Sequence, residues 1–250
     1  YSSGLVSYYG NHKEVWKKII KNYNIDTVFW NRDYEPYSVK RDNEIHKLLV
    51  LNNIKIKTFK DQVIFEELDV LKKNNTPYTV FTPYKNKWLE KFKECIGTYI
   101  SYDDNVNFNN FYRHKTKVMS LERLGFTKSQ INVKKINFNH IPNYDVFRDY
   151  PHIEKSSYLG PHLRFGSISI RKCVNIALDD NFIFLSELIW REFFMQILFH
   201  FPYVHSSCFK PKYNQINWRN NKEEFNKWCN GLTGYPLVDA GMKQLNVTGY

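Results

Sequence analysis

Phe182-Ile-Phe-Leu-Ser-Glu-Leu-Ile-Trp-Arg-Glu-Phe-Phe-Met-Gln-Ile-Leu-Phe-His-Phe201 is the densest apolar stretch of the sequence, and Pro202 follows it. Apolar residues fall on all sides of such a helix, which predicts a buried helix that ends where proline cannot continue it. Glu187 and Arg191 interrupt the apolar surface, and charged side chains in a buried helix need partners. We therefore predict a long helix over 182–201 inside a helical domain.

Four residues of this helix share one face. At positions i, i+3, i+4 and i+7 they are Glu187, Trp190, Arg191 and Phe194. In one interpretation, Glu187 and Arg191 form an ion pair beneath the Trp190 ring and have a structural role. In the other, they form the polar floor of a site whose ligand also stacks on an aromatic plane. The pattern by itself leaves both interpretations open.

The first third of the chain alternates between strand and helix patterns, whereas the last third is helical throughout. Residues 26–30 form a continuous apolar run, typical of a strand buried on both faces. Strand-helix-strand alternation with short connections predicts a parallel α/β sheet. The predicted strands cover 4–9, 26–30, 54–59 and 78–81, and the further predicted helices cover 12–23, 39–51, 167–178, 222–230 and 236–245.

A polar, basic segment separates the two regions. Pro83 ends the last predicted strand, residues 84–92 form a short basic amphipathic stretch, and residues 101–110 are rich in Asp and Asn. Such composition is typical of a connector on the surface. We therefore predict the fold class α/β plus all-α, with a parallel α/β domain over residues 1–85, a connector over 86–143 and a helical domain over 144–250.

The composition restricts the functional class less than the motifs do. Among 250 residues, 36 lysines and arginines oppose 25 aspartates and glutamates, which gives a net charge of +11. This surplus is spread along the chain and accompanies a general richness in Lys and Asn, so charge alone does not identify a nucleic-acid partner. The cysteines at positions 95, 173, 208 and 229 lack metal-ligand spacing, so we expect reduced thiols and no metal. No uncharged apolar run reaches the length of a membrane span, and we expect none.

Two shorter segments have the composition of ligand-binding turns. Lys155-Ser-Ser-Tyr-Leu-Gly-Pro-His-Leu-Arg-Phe-Gly166 places consecutive hydroxyls before a helix start, where free N–H groups suit an anion. Gly231-Leu-Thr-Gly-Tyr-Pro-Leu-Val-Asp-Ala240 is a glycine-rich turn that leads into a helix. Each segment taken alone also fits an ordinary capped turn.

Taken together, these segments resemble the DNA photolyase and cryptochrome family in order, spacing and residue identity. The resemblance is strongest to the bacterial class I cyclobutane pyrimidine dimer photolyases and covers nearly the whole chain. Its most specific strings are Glu-Leu-Ile-Trp-Arg-Glu and Thr-Gly-Tyr-Pro-Leu-Val-Asp-Ala. The matching stretches are residues 30–37, 81–88, 144–151, 156–166, 186–193 and 233–245.

The resemblance implies a partial Rossmann-like antenna domain and a truncated helical domain that binds FAD. The implied FAD contacts are Tyr144, a diphosphate loop formed by Ser156, Ser157, Tyr158, Leu159 and Gly160, and the helix residues Glu187, Trp190, Arg191 and Phe194. The family often has Thr, Arg and Ser where this loop has Ser156, Tyr158 and Gly160, so one side-chain donor and one charge are lost. A second antenna chromophore, of folate or deazaflavin type, is also implied, and residues 31–37 do not decide which.

The function implied by the resemblance is light-dependent repair of cyclobutane pyrimidine dimers in DNA by electron transfer from excited reduced FAD, as in deoxyribodipyrimidine photo-lyases. Glu187 is expected to hydrogen-bond the dimer and Trp190 to stack on its bases. Arg148 is expected to contact DNA, and Arg191 to contact flavin or phosphate. Trp218 resembles the outer tryptophan of the chain that photoreduces FAD.

Two alternatives remain open: a cryptochrome that signals without repair, and a remnant that binds DNA without a cofactor. Glu187 together with Trp190 favours repair, because a signalling protein needs no stacking platform for a dimer. The family has stretches before residue 1 and after residue 250 that have no counterpart in this sequence, so we expect the chain to be a piece of a longer bacterial protein. By itself, this piece is expected to bind FAD poorly and to be inactive. We further expect a monomer that acts on dimer-containing DNA in the cytoplasm, at the nucleoid.

Overall fold

The computed structural model describes residues 3–95, 108–114 and 118–250. The elements in these ranges are α1 (His12–Asn22), β1 (Thr27–Asn31), α2 (Pro36–Leu51), β2 (Lys55–Phe59), α3 (Phe81–Cys95), α4 (Tyr144–Phe147), α5 (Leu159–Arg164), α6 (Ile170–Asp180), α7 (Phe182–His200), α8 (Lys222–Cys229) and α9 (Pro236–Thr248). Short 3-10 helices lie at Phe108–Asn110, Ile141–Asn143, Pro202–His205 and Pro211–Gln215. No helix within the described ranges has the length and apolarity needed to cross a membrane.

The chain divides into two compact units. The α/β unit comprises Tyr1–Phe59 and Cys95–Ser129, and the helical unit comprises Lys60–Glu94 and Gln130–Tyr250. The predicted combination of a parallel α/β part with an all-helical part is confirmed. The units divide the chain at residues other than the predicted boundaries, because Lys60–Glu94 packs within the helical unit. Within the predicted connector, residues 96–107 and 115–117 lie outside the described residues.

The α/β unit is built on a parallel strand pair. Thr27 of β1 lies opposite Lys55 of β2, and the register continues to Asn31 opposite Phe59. A parallel pair needs a crossover, which α2 supplies between the two strands. This order confirms the predicted alternation of helix and strand over residues 12–59. The core of the unit is formed by Ile45, Leu49 and Ile54, against which Trp16, Ile20, Ile25, Val28, Trp30 and Ile56 pack.

Two of the predicted strands are wrong. Residues 4–9 form no strand, and residues 78–81 lead into α3, which begins at Phe81. Pro83 therefore lies in the first turn of a helix, where its missing N–H costs no helical hydrogen bond. The buried residues of α3 are Tyr84, Trp88 and Phe92. Their four-residue spacing agrees with the amphipathic stretch predicted over residues 84–92, but the helix begins earlier, at Phe81.

The core of the helical unit lies where α6 packs against α7. The predicted helix over 182–201 is confirmed as α7, and Asn181 caps it by accepting hydrogen bonds from the N–H groups of Ile183 and Phe184. α6 begins after Ser169, whose side chain caps it, rather than at 167. The buried apolar residues are Ile170, Cys173, Val174 and Ala177 of α6, and Phe184, Leu185, Leu188, Ile189 and Phe193 of α7.

The glycine-rich turn between α8 and α9 is held by the carboxylate of Asp239. This carboxylate accepts hydrogen bonds from the N–H and hydroxyl of Thr233 at 2.8 and 2.6 Å, and from the Gly234 N–H at 3.0 Å. Gly231 has a φ of +63°, and a Cβ there would lie 2.8 Å from the Asp239 carbonyl oxygen. The segment therefore has the geometry of a capped turn in which glycine is required at position 231.

Candidate functional site

Glu187 forms an ion pair with Arg148, which follows α4. Arg148 Nη1 donates a hydrogen bond to Glu187 Oε1 over 2.6 Å. The guanidinium also lies 5.3 Å from the centre of the Tyr144 ring, and burial raises the pKa of this tyrosine. The side chains of Arg148 and Glu187 are 34% and 35% exposed. The structure thus brings three of the predicted site residues together at a surface that a ligand can reach.

Arg191 does not pair with Glu187 but with the backbone of Gln62. Its Nη1 donates a hydrogen bond to the carbonyl oxygen of Gln62 over 2.6 Å, and burial lowers the pKa of its guanidinium. The interpretation in which Glu187 pairs with Arg191 is therefore wrong. Helical spacing places both residues on one side of α7, but each side chain finds a partner from another part of the helical unit. A pocket of about 310 Å³ lies beside Arg191 and is also lined by Gln62 and Arg164.

Trp190 lies in an aromatic cluster one helical turn from Glu187. The Phe81 ring is nearly parallel to the indole, with 3.6 Å between the ring centres and 10° between the planes. Phe194 is also close to parallel at 5.4 Å and 21°, and Phe193 meets the indole at a steep angle. Phe194 is 61% exposed and Trp190 is half-buried. Phe81, Trp190 and Phe194 thus lie nearly parallel to one another close to the surface of α7, and we call this group the aromatic platform.

Glu192 is a buried carboxylate that the sequence interpretation did not single out. It accepts hydrogen bonds from the N–H groups of Ile64 and Phe65 at 2.6 and 3.1 Å, from Trp88 Nε1 at 2.7 Å and from the Tyr84 hydroxyl at 3.3 Å. Burial raises its pKa to about 7, although these donors lower it. Its position on a buried helix signalled the need for a partner. The identity of the donors could not be read from the sequence, because they lie more than 100 residues away.

The predicted diphosphate loop runs into the first residues of α5. Ser156 and Ser157 are half-buried, and the Ser157 carbonyl accepts a hydrogen bond from the N–H of Asn137 over 3.0 Å. Leu159 is buried, and a Cβ on Gly160 would lie 3.3 Å from the Tyr250 ring. Ser156 to Tyr158 are therefore irregular and lie beside Asn137, whereas Leu159 and Gly160 begin α5.

Tyr158 is held in this loop by a lysine and a glutamate. Its φ of +56° is left-handed, which is costly for a bulky side chain. Its hydroxyl lies 2.8 Å from Glu154 Oε1 and 3.1 Å from Lys134 Nζ, and Lys134 forms an ion pair with Glu154. A shallow pocket of about 640 Å³ is lined by Lys134, Lys135 and Tyr158, among others. Lys134 thus lies beside a loop that has no basic residue of its own, with its charge balanced by Glu154.

Trp218 lies apart from these clusters in the irregular segment before α8, where it is 68% exposed. Such exposure is expected both of an outer electron donor and of an ordinary surface residue. Its role in electron transfer stays a prediction.

The α/β unit has a pocket of its own beside β1. Its volume is about 250 Å³, and its lining includes Trp16, Trp30, Asn31, Arg41 and Asp42. Crevices at the carboxyl ends of parallel strands are the usual ligand sites of α/β sheets. The described part of the chain holds no group of three or more His, Cys, Asp and Glu side chains placed to bind a metal ion.

Comparison with known families assigns both parts of the chain. The family model for DNA photolyase matches residues 1–101, and the model for the FAD binding domain of DNA photolyase matches residues 184–250. The second match begins within α7 and contains Glu187, Trp190 and Trp218. Both models are described by the same family, DNA photolyase.

Individual relatives agree with these matches. The chain is 28% identical to the deoxyribodipyrimidine photo-lyase of Escherichia coli, over 95% of this chain and 54% of that protein. It is 30% identical to the protein of the same name from Alkalihalophilus pseudofirmus, over 90% of this chain and 51% of the relative. The crystal structure of a class III photolyase from Agrobacterium tumefaciens matches with a TM-score of 0.72 at 25% identity, over 96% of this chain and 55% of that one. The chain spans about half the length of these relatives, and it belongs to the DNA photolyase and cryptochrome family.

Proposed function

We propose that this chain forms part of an enzyme that uses light and FAD to split cyclobutane pyrimidine dimers in DNA. The observation that carries the proposal is the accessible Glu187 carboxylate one helical turn from the aromatic platform of Trp190. A pyrimidine dimer presents polar ring edges and apolar ring faces, and a carboxylate beside an indole suits both. The relatives named deoxyribodipyrimidine photo-lyase support the same activity.

The ion pair between Arg148 and Glu187 suits a site that opens when DNA binds. In the free protein, the Arg148 guanidinium is hydrogen-bonded to the carboxylate of Glu187. A DNA phosphate competes for that guanidinium, because arginine binds phosphate and carboxylate with the same fork of donors. Once Arg148 has turned to the phosphate, Glu187 is available to hydrogen-bond the ring edge of a pyrimidine. Arg191, in its pocket with Arg164, is a proposed further contact for phosphate or flavin.

The loop over residues 156–160 is the proposed holder of the FAD diphosphate. Its two serine hydroxyls, its backbone N–H groups and the nearby Lys134 ammonium form a donor set that fits an anion. Lys134 would supply the charge that the loop lacks at Tyr158 once a diphosphate displaced Glu154 from it. Tyr144 and Phe194 are proposed to contact the cofactor. A bound, reduced FAD would lend an electron on excitation to split the dimer, and the electron would return to the flavin once both pyrimidines are restored.

Glu187→Ala tests the catalytic assignment. The product of the complete reading frame that contains this chain is the protein to use. We expect the repair yield per absorbed photon to fall about three- to tenfold, the worth of one hydrogen bond. Flavin content and melting temperature should change little, because a half-exposed ion pair contributes at most about 1 kcal/mol. Loss of flavin, or a large drop in melting temperature, would give Glu187 a structural role and withdraw its assignment.

Trp218→Phe tests the proposed electron path. Phenylalanine preserves packing but is much harder to oxidise than tryptophan. We expect slower photoreduction of oxidised flavin, with unchanged repair by enzyme whose flavin has been reduced chemically. Photoreduction is measured by the absorbance of the flavin under illumination, and repair is measured by product formation. Photoreduction at the wild-type rate would remove Trp218 from the path.

The remaining assignments are proposals of the same kind. The pocket beside β1 is a candidate for an antenna chromophore of folate or deazaflavin type. The proposed partner is DNA that contains pyrimidine dimers, bound by a monomer at the bacterial nucleoid in the cytoplasm. A cryptochrome-type photoreceptor would bind FAD and respond to light without repairing a dimer, so the repair assay separates the two functions.

A further inference from the structure

We propose that Phe81 is a positioning residue that fixes the plane of the Trp190 indole, and that Glu192 anchors α3 so that Phe81 can do so. The ligand that benefits is one pyrimidine ring of the dimer, whose apolar face packs on the indole. This inference rests on the proposed function, because it takes Trp190 to be the platform for a pyrimidine of the dimer.

The first step is the attachment of α3 to α7. Phe81, Tyr84 and Trp88 lie at i, i+3 and i+7 and therefore share one face of α3. Tyr84 and Trp88 both donate hydrogen bonds to Oε1 of Glu192, at 3.3 and 2.7 Å. One buried carboxylate thus fixes both the rotation of α3 and its position along α7, because two donors from successive turns meet the same oxygen.

The second step is the segment before α3, whose backbone is bound by further side chains of α7. Besides the bonds to Glu192, the carbonyl of Phe65 accepts a hydrogen bond from Gln196 at 3.3 Å, and that of Glu67 contacts His200 Nε2 at 2.8 Å. The Phe65 ring meets Trp88 edge-on, with 5.4 Å between the ring centres. Polar groups along α7 thus fix this segment, and the segment in turn packs against Trp88 of α3.

The third step is the contact between Phe81 and Trp190. The two rings are 3.6 Å apart and nearly parallel, and Phe193 contacts both, at 5.8 Å from Phe81 and 5.6 Å from Trp190. An indole held in this way cannot rotate freely about its side-chain bonds. A platform oriented in advance binds a stacked base more tightly, because less side-chain entropy is lost on binding.

The test compares Phe81→Leu with Phe81→Tyr in the product of the complete reading frame. The measured quantity is the ratio of dissociation constants for an undamaged oligonucleotide and for the same oligonucleotide with one pyrimidine dimer. Phe81→Leu should lower this preference about three- to tenfold, as expected for one aromatic pair, whereas Phe81→Tyr keeps the ring and the preference. Phe225→Leu is the matched control, because Phe225 stacks on Trp228 of α8 at 5.7 Å. It should leave the preference unchanged.

A double-mutant cycle distinguishes positioning from general destabilisation. In a Trp190→Ala background, Phe81→Leu should cause no further loss of preference, because the platform it positions is gone. An unchanged preference in Phe81→Leu, or an equal loss with and without Trp190, would overturn the inference. If Phe81→Leu does not fold, Phe81→Met answers the same question with an unbranched side chain. If Trp190→Ala itself leaves the preference intact, the proposed function fails, whatever Phe81 does.

Discussion

Replacing Glu192 by alanine is expected to lower the free energy of unfolding by at least about 3 kcal/mol near pH 5. The variant leaves two backbone N–H groups, an indole N–H and a phenol hydroxyl without their acceptor. Each buried donor without a partner costs about 1–3 kcal/mol. These donors belong to α3 and to the segment before it, so both should loosen from α7. Urea unfolding followed by circular dichroism measures the loss.

The effect of Glu192→Ala should be smaller near pH 8. Burial raises the pKa of Glu192 to about 7 from an ordinary value of 4.5. Between pH 4.5 and about 7, Glu192 is protonated in the native state but ionised in the unfolded chain. The free energy of unfolding of the wild type therefore falls as the pH rises through this range. The fall amounts to about 3 kcal/mol. Alanine does not titrate, so the difference between wild type and variant should narrow as the pH rises.

Glu223→Ala is the matched control for this prediction. Glu223 lies on α8 and pairs with Lys227, and its side chain is 80% exposed. Its removal should change the free energy of unfolding by less than about 0.5 kcal/mol at either pH. Equal effects of the two substitutions near pH 5, or a Glu192→Ala loss that grows with pH, would contradict the role given to the buried carboxylate.

Trp190→Ala is expected to weaken binding of dimer-containing DNA far more than binding of undamaged DNA. Stacking of a base on an aromatic side chain contributes about 1–3 kcal/mol, so affinity for the dimer should fall roughly fivefold to more than a hundredfold. Proteins hold undamaged DNA mainly through phosphate contacts, which salt screens, and we expect these contacts not to involve the indole. Fluorescence anisotropy with both oligonucleotides at one fixed salt concentration measures the two affinities.

Trp228→Ala provides the comparison on the same unit. Trp228 lies on α8, is 44% exposed and, like Trp190, has a phenylalanine stacked on it, namely Phe225. Its loss should leave the preference for damaged DNA intact. A uniform loss of affinity for both DNAs in Trp190→Ala would show that the indole supports the fold instead of holding a base.

Local patterns made α7 and the first helix–strand–helix–strand unit predictable. The apolar surface of α7 and the stop at Pro202 are properties of neighbouring residues, and so are the short apolar run of β1 and the helices on either side of it. The region from residue 60 to residue 94 was predicted less well. Its three buried aromatics follow a helical period, but Pro83 was taken as a strand end when it stands in the first turn of α3.

The partners of the charged residues on α7 could not be predicted from spacing. Glu187 and Arg191 stand one turn apart, yet the side chain of Glu187 meets Arg148, 39 residues earlier, and Arg191 meets the backbone of Gln62. Glu192 was overlooked for the same reason, since its donors come from a segment far away in the sequence. Helical periodicity shows which residues share a face, whereas tertiary packing decides what each of them touches.

Light-dependent repair is tested most directly with the product of the complete reading frame, its flavin chemically reduced, and an oligonucleotide that contains one cyclobutane pyrimidine dimer. Splitting of the ring restores the double bonds of both pyrimidines and therefore their ultraviolet absorbance. Our account predicts that this absorbance returns under near-ultraviolet or blue light and stays unchanged in the dark. A protein that binds flavin and dimer-containing DNA, yet restores no pyrimidine absorbance under illumination, would contradict it.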